Sequence, residues 1–198
     1  MIQVEHIFTT PLAGVFLNLD NTKLEEFCLA AVTTSSQTAE VFQENQSVFL
    51  DLTAPELQNL LEEVSNNLNA FYNTLDFNPN TRLKILRAWA NTNNTHAIDV
   101  PHCHPDGIFT AIYYVKGTGS SDNGSLNLLT PVASLQHCMK PDYIAQNNRF
   151  NVWAWGVKPE TGKLIMFPAW IMHSVARNKL PDRRISIAFD AVVEYYGN

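Results

Sequence analysis

Cysteine is scarce in this chain. Cys28, Cys103 and Cys138 are odd in number and far apart among 198 residues, which excludes a disulfide framework and points to reduced thiols. Charge is scarce as well: 16% of residues are Asp, Glu, Lys or Arg, the net charge is −6, and Lys and Arg never form a block. A protein that grips nucleic acid through its phosphates needs such a block, so the composition argues against that partner. No apolar run reaches the roughly 18 residues of a membrane span. The opening MIQVEHIFTTPLAG has neither the basic region nor the apolar block of a signal peptide. A cytosolic (cytoplasmic) protein that stays off membranes is expected. Absent too are a P-loop, a dinucleotide fingerprint and a serine nucleophile elbow, which sets aside the commonest nucleotide-dependent and hydrolytic chemistries.

What is there suits a globular domain. With 45% hydrophobic and 11% aromatic residues the chain can enclose a full core, and no repeat or low-complexity linker divides it. A single domain over 1–198 is expected, with residues 1–80 as a helical support region and 81–198 as a β core. IQVEHIFTTPLAGVFL reads as a strand or two, and NTKLEEFCLAAVTTS has helical spacing with Asn21 or Thr22 as its cap. Thr53-Ala-Pro-Glu56 has the spacing of a capping box, and Leu57, Leu60, Leu61, Val64, Leu68 and Phe71 follow on one helical face. From about residue 82 the character changes to short β-like runs: RLKILRAWAN, FTAIYYVKG, SLNLLTPV, NVWAWGVKPE, KLIMFPAWIMHSVARN and RRISIAFDAVVEYY. Turn signals separate them, which predicts an antiparallel sandwich or closed β structure supported by the helices, an α+β chain with an all-β core. Trp153, Trp155 and Trp170 read as packing residues of that core, and the Gly/Ser-rich stretch 117–125 as a mobile loop that closes over a site. His6, His96 and His137 have no partners at informative spacing.

The chemistry concentrates in VPHCHPDG, residues 100–107. In an extended segment alternate side chains share a face, so His102, His104 and, if the strand persists past Pro105, Asp106 point one way and Cys103 the other. Two histidines and one carboxylate on one face make the triad used for non-haem Fe(II). His104-Pro-Asp106 supplies a His-x-Asp pair, and His173 in FPAWIMHSVARN is the distal candidate. The alternative pair is His102-x-His104, with Asp106 then left to orient an imidazole from behind. About ten residues beyond His173, Arg184 and Ser186 share a strand face opposite Ile185 and Ile187. A guanidinium fork and a hydroxyl so placed form a carboxylate clamp.

With these residues in view, the run HCHPDGIFTAIYYVKG…GKLIMFPAWIMHSVARNKLPDRRISIAFD resembles the 2-oxoglutarate–Fe(II) oxygenases of phages and marine bacteria. Their pattern runs His-x-His-Pro, Ser-Gly-Val-Tyr-Tyr, Gly-x-Leu-x-x-Phe-Pro-x-x-x-x-His-x-Val and Arg-Ile-Ser-x-x-Phe. Phe167, Pro168, His173, Val175, Arg184, Ile185, Ser186 and Phe189 match it in order, Ala88–Asn91 resembles its Trp-x-Asn strand, and the likeness covers residues 85–190. Thr110-Ala-Ile departs from Ser-Gly-Val. The resemblance implies a double-stranded β-helix (a cupin-like jelly roll), a metal held by His173 and a proximal pair, and 2-oxoglutarate held by Arg184 and Ser186. In such enzymes a tyrosine on the strand after the first ligands reaches the same carboxylate, which points to Tyr114. The implied cofactors are Fe(II), 2-oxoglutarate as co-substrate and O2, and the implied substrate is a small molecule or a protein side chain whose C–H bond is hydroxylated. Two rival readings stand beside it: a cupin-type metalloenzyme with His102, His104 and His173 and no need of 2-oxoglutarate, and a non-catalytic β-sandwich that serves as a binding or structural module.

Overall fold

The β-like runs supply strands β3 (Thr81–Asn93), β5 (Phe109–Lys116), β6 (Leu126–Leu129), β7 (Ala154–Val157), β8 (Lys163–Pro168), β9 (His173–Val175) and β10 (Arg184–Tyr195), and β4 (Asp99–His102) forms between the first two runs. Before them come β1 (Ala13–Phe16), α1 (Asn21–Ser36), β2 (Asn45–Phe49) and α2 (Pro55–Asn73). The structure, a computed structural model, describes residues 3, 7, 9–36, 45–132, 134–138 and 140–196; His6 and most of the opening eight residues fall outside this range.

All strand pairs are antiparallel. The major sheet has the order β1-β8-β5-β10-β3-β2 and the minor sheet β4-β9-β6-β7. The two edge strands of the major sheet thus come from before residue 80, so residues 1–80 contribute strands as well as helices. Both are short, and β2 is polar at its start (Asn45-Gln-Ser), so it carries little period-two signal.

The burial patterns explain the layers. β5 and the first eight residues of β10 are buried on both faces, because the outer face of the major sheet lies under the helices and its inner face under the minor sheet. The outer core joins Leu57, Leu60, Val64 and Leu68 of α2 and Cys28 of α1 to Ala111, Tyr113, Ile185, Ile187 and Phe189 of the sheet. Burial, with Glu25 adding to it, pushes the Cys28 thiol up to about 12, so this cysteine is an inert part of the core. The inner core joins Ile112, Tyr114, Ile165, Phe167 and Ala188 to Leu126, Leu128, Val157 and Val175 of the minor sheet.

Local details differ from expectation at both helix starts. Asp20 caps α1, its Oδ1 accepting from the Lys23 N–H at 3.3 Å. The capping box at α2 does not form: Thr53 turns back to Asp51, donating its N–H at 2.8 Å and its hydroxyl at 2.7 Å, and Ala54 stands at the cap. The three tryptophans are not core residues either. Trp153, Trp155 and Trp170 are 58%, 47% and 53% exposed, on β7, the segment leading into it and the β8–β9 connection.

Candidate metal centre and co-substrate pocket

Strand parity, corrected by two bulges, decides what faces the space between the sheets. On β10 the inner face carries Arg184, Ser186, Ala188 and Asp190. Ser186 pairs with Tyr114 on one side and Asn91 on the other, Ala188 with Ile112 and Trp89, and Asp190 with Thr110 and Arg87. The bulge opposite Asp190/Ala191 leaves Leu86 unpaired and reverses the parity of β3. Leu83 and Ile85 therefore pack under the helices while Arg87, Trp89, Asn91 and Asn93 turn inward. On β4 a second irregularity between Asp99 and His102 lets both reach the inner face, where His102 pairs with His173 and Asp99 with Val175.

Between the sheets lies a cavity of about 180 Å³. His102, His104 and His173 line one side, each offering a ring nitrogen, and the three nitrogens lie within 4.8 Å of one another. The proton positions follow from the neighbours. His102 Nδ1 lies 2.8 Å from the Val100 carbonyl, His173 Nδ1 2.9 Å from the Ile171 carbonyl and His104 Nδ1 2.6 Å from Asp190 Oδ1. Each acceptor requires the proton on Nδ1, so in the neutral ring Nε2 is the nitrogen left with a lone pair for a metal. Burial, with His102 and His104 adding to it against the pull of the Ile171 carbonyl and Asp190, drives the His173 pKa down to about 4. That imidazole is neutral at physiological pH, the state a ligand needs. His102 is exposed while His104 and His173 are buried, so the centre opens to solvent on the His102 side.

Asp106 does not join this group. β4 ends at His102, and the Gly107 N–H bonds the His104 carbonyl at 3.1 Å, closing a tight turn over Pro105 and Asp106. The strand on which His104 and Asp106 would share a face has stopped by then. The Asp106 side chain is 67% exposed and meets Arg87 at 3.3 Å. Cys103, partly buried, is also outside the cluster.

The other side of the cavity is a cation pocket. Arg184 is buried, donating from Nη1 to the Gly124 carbonyl at 2.9 Å and from Nη2 to Asn93 Oδ1. Among the described residues no carboxylate lies within ion-pair distance of it, and its Nε has no hydrogen-bond partner. Burial lowers its pKa, opposed by Tyr114 and Asp99. The Tyr114 hydroxyl is likewise buried without a partner, and burial, against the pull of Arg184, pushes its pKa up to about 12. A buried guanidinium with no counter-ion and one unpaired N–H, beside a buried hydroxyl without a partner, is expensive unless an acceptor of opposite charge joins them. Ser186 lines the same space. Tyr113, one residue from Tyr114, faces the other way and donates to Asn21 Oδ1 of α1 at 2.8 Å.

The 117–125 loop is anchored through Asn123 and Gly124. Asn123 is fully buried, accepting from the Thr118 N–H at 3.1 Å and donating to Asn178 Oδ1 at 3.2 Å and the Asp182 carbonyl at 2.9 Å. Gly124, at φ +81°, presents its carbonyl to Arg184; a Cβ there would stand 3.1 Å from the Ala176 oxygen. The Gly124 end of the loop thus forms part of the cation pocket. Sequence reasoning also passed over Arg87, Thr110 and Asp190, although the inner parity of Arg184 and Ser186, continued along β10, reaches Asp190.

A two-sheet β roll with three convergent imidazoles and a buried, unpaired cation in one cavity defines a protein equipped to hold a metal ion and an anion side by side. The chain belongs to the 2OG-Fe(II) oxygenase family: residues 87–190, more than half of it, match the family model described as "Putative 2OG-Fe(II) oxygenase". It is an enzyme that works with Fe(II), 2-oxoglutarate and O2, which sets aside the non-catalytic sandwich. The fold agrees with solved structures at low identity. A Pseudomonas putida prolyl-4-hydroxylase is 14% identical, with a TM-score of 0.60 over 92% of this chain and 93% of that one. HygX from Streptomyces hygroscopicus, solved with nickel and 2-oxoglutarate bound, is 14% identical, with a TM-score of 0.62 over 93% and 83%. AviO1 from Streptomyces viridochromogenes Tue57 is 14% identical, with a TM-score of 0.65 over 92% and 90%. The likeness establishes the jelly-roll fold. No curated protein sequence matches the chain. Among the described residues no helix is long and apolar enough to cross a membrane.

Proposed function

We propose that this protein hydroxylates an unactivated C–H bond of a small molecule or a protein side chain, with His102, His104 and His173 as the metal ligands and Arg184, Ser186 and Tyr114 as the 2-oxoglutarate pocket. The observation that carries the reading is the shared cavity, in which three convergent imidazoles stand beside a buried cation with no counter-ion and a buried hydroxyl with no partner. The donor set fits Fe(II), since three neutral nitrogens on one side leave the opposite positions open. When bound, the iron couples oxidation of 2-oxoglutarate to succinate and CO2 to insertion of one oxygen atom of O2 into the substrate C–H bond.

The residues of this chain have separable tasks. The Nδ1 bonds to Val100, Ile171 and Asp190 hold the three rings in the ligating tautomer before metal arrives. Arg184, fixed by Asn93 and Gly124, lines the cavity with hydrogen-bonding capacity to spare for the distal carboxylate of 2-oxoglutarate, and Tyr114 and Ser186 add neutral donors. Ile112, Leu126 and Val175 keep the interior apolar, which strengthens each of these contacts. The exposed side at His102 admits the substrate. Free cysteines suit a reducing compartment, and the cytoplasm is the proposed location.

Anaerobic addition of Fe(II) and 2-oxoglutarate is the test. A weak visible charge-transfer band and a 2-oxoglutarate-dependent thermal shift are expected, both lost in His173→Ala. Their absence in the wild-type protein would sink the proposal. Arg184→Ala separates it from a three-histidine enzyme that needs no 2-oxoglutarate, because only under the present reading does that change abolish co-substrate binding while metal binding persists.

A further inference from the structure

We propose that Asp190 is the positioning residue of the metal centre, a carboxylate set one step behind His104 that supplies the negative charge the three-histidine donor set lacks. The inference rests on the ligand assignment above and concerns a residue outside it. Asp190 is fully buried and both its oxygens are saturated. Oδ1 accepts from His104 Nδ1 at 2.6 Å and from the Thr110 hydroxyl at 3.0 Å. Oδ2 accepts from Arg87 Nε and Nη2, each at 2.8 Å.

Three features set this contact apart from a generic core bond. First, the other two imidazoles lean on neutral carbonyls two residues back in their own chain segments, Val100 and Ile171, whereas His104 leans on a carboxylate 86 residues away. Second, the carboxylate is rigid before any ligand arrives, because β10 carries it, β5 brings Thr110 beside it and the β3 bulge turns Arg87 inward to it. Third, the cation opposite it is shared: Arg87 also meets the exposed Asp106 at 3.3 Å, so its charge is divided between two carboxylates. A carboxylate hydrogen-bonded to a ligand imidazole raises the basicity of the ligating nitrogen and orients the ring. Asp106, exposed and outside the ligand set, then acts at one remove, by holding Arg87 from the solvent side.

The test measures Ni(II) affinity of the metal-free protein by calorimetry in four forms: wild type, Asp190→Asn, His104→Ala and the double variant. Asparagine keeps the size and an acceptor oxygen but not the charge. Wild type is expected to bind one ion, Asp190→Asn to bind about 10- to 100-fold more weakly, and the same substitution to change affinity less than about threefold once His104 is alanine. Imidazole NMR of the Zn(II)-loaded protein adds a readout that a merely structural role would not move: the Nδ1 proton of His104 shifts upfield in Asp190→Asn while those of His102 and His173 stay in place. Should Asp190→Asn fail to fold by circular dichroism, Thr110→Val, which removes one bond to the carboxylate and keeps every charge, is expected to weaken Ni(II) binding a few-fold, again only when His104 is present. Equal affinity of wild type and folded Asp190→Asn, or an equal loss with and without His104, overturns the inference and leaves the metal centre intact. A wild-type protein that binds no Ni(II) overturns the ligand assignment itself.

Discussion

Tyr114→Phe should move stability and co-substrate affinity in opposite directions. The Tyr114 ring belongs to the inner core, and phenylalanine keeps that packing and deletes one oxygen. That oxygen is buried with no partner among the described residues, and it is a protonated donor at neutral pH because burial pushes its pKa up to about 12. Leaving a hydroxyl unpaired costs about 1–3 kcal/mol, so its removal should stabilise the metal-free protein by about 1 kcal/mol. For a chain of this size that raises Tm by about 2–4 °C. With 2-oxoglutarate bound, the same hydroxyl donates to a carboxylate, a charge-assisted bond worth about 1.5–3 kcal/mol. Its loss should raise the Kd for 2-oxoglutarate by about 10- to 100-fold. Urea denaturation of the metal-free variant measures the first quantity, and calorimetric titration of 2-oxoglutarate into Ni(II)-loaded protein the second. A variant that is destabilised by more than about 1 kcal/mol and binds 2-oxoglutarate as tightly as wild type would refute the reasoning, since the hydroxyl would then have a structural rather than a ligand-binding partner.

Other substitutions separate the parts of the site. His173→Ala should weaken Ni(II) binding more than about 100-fold, whereas Asp106→Asn, changing an exposed group that faces Arg87, should weaken it less than about threefold; equal losses in the two variants would restore Asp106 to the ligand set. Gly124→Ala should cost about 1–2 kcal/mol in urea denaturation, because φ +81° and the nearby Ala176 oxygen both oppose a Cβ, and should weaken 2-oxoglutarate binding by moving the carbonyl that holds Arg184. The metal-free protein should lose stability in acid through His173, whose folded pKa of about 4 lies below the ordinary 6.5. The unfolded chain binds a proton that the folded one refuses, so this contribution is complete above about pH 6.5 and falls toward pH 4, by about 3 kcal/mol at most. Denaturation midpoints measured between pH 7 and 4.5 should therefore fall more steeply for wild type than for His173→Leu, and parallel curves would contradict the burial argument.

Much of this molecule is decided by local chemistry and is therefore readable in one dimension. The six β-like runs after residue 81 and the apolar face of α2 follow from side-chain periodicity, which a strand or helix imposes on neighbours two or four positions apart. The same parity brought His102 and His104 together, removed Cys103 and paired Arg184 with Ser186. It failed where a few residues break the period. The turn at Pro105–Gly107 withdraws Asp106 from the face it would share with His104, the β3 bulge at Leu86 reverses which residues look inward, and the polar start of β2 and the four-residue β4 are too brief to announce themselves. The Gly/Ser-rich 117–125 stretch has the composition of a lid, yet the buried Asn123 binds it to Asn178 and Asp182, 55 and 59 residues away. Asp190 shows the division most plainly. Its inward direction was available from the parity of Arg184 and Ser186, but its meaning was not, since His104, Thr110 and Arg87 reach it from 86, 80 and 103 residues away. Residue types and their spacing are enough to say which groups could bind a metal and a carboxylate and on which strands most of them lie. Which of them meet depends on register, bulges and turns, and these are set by long-range pairing that no local window of residues contains.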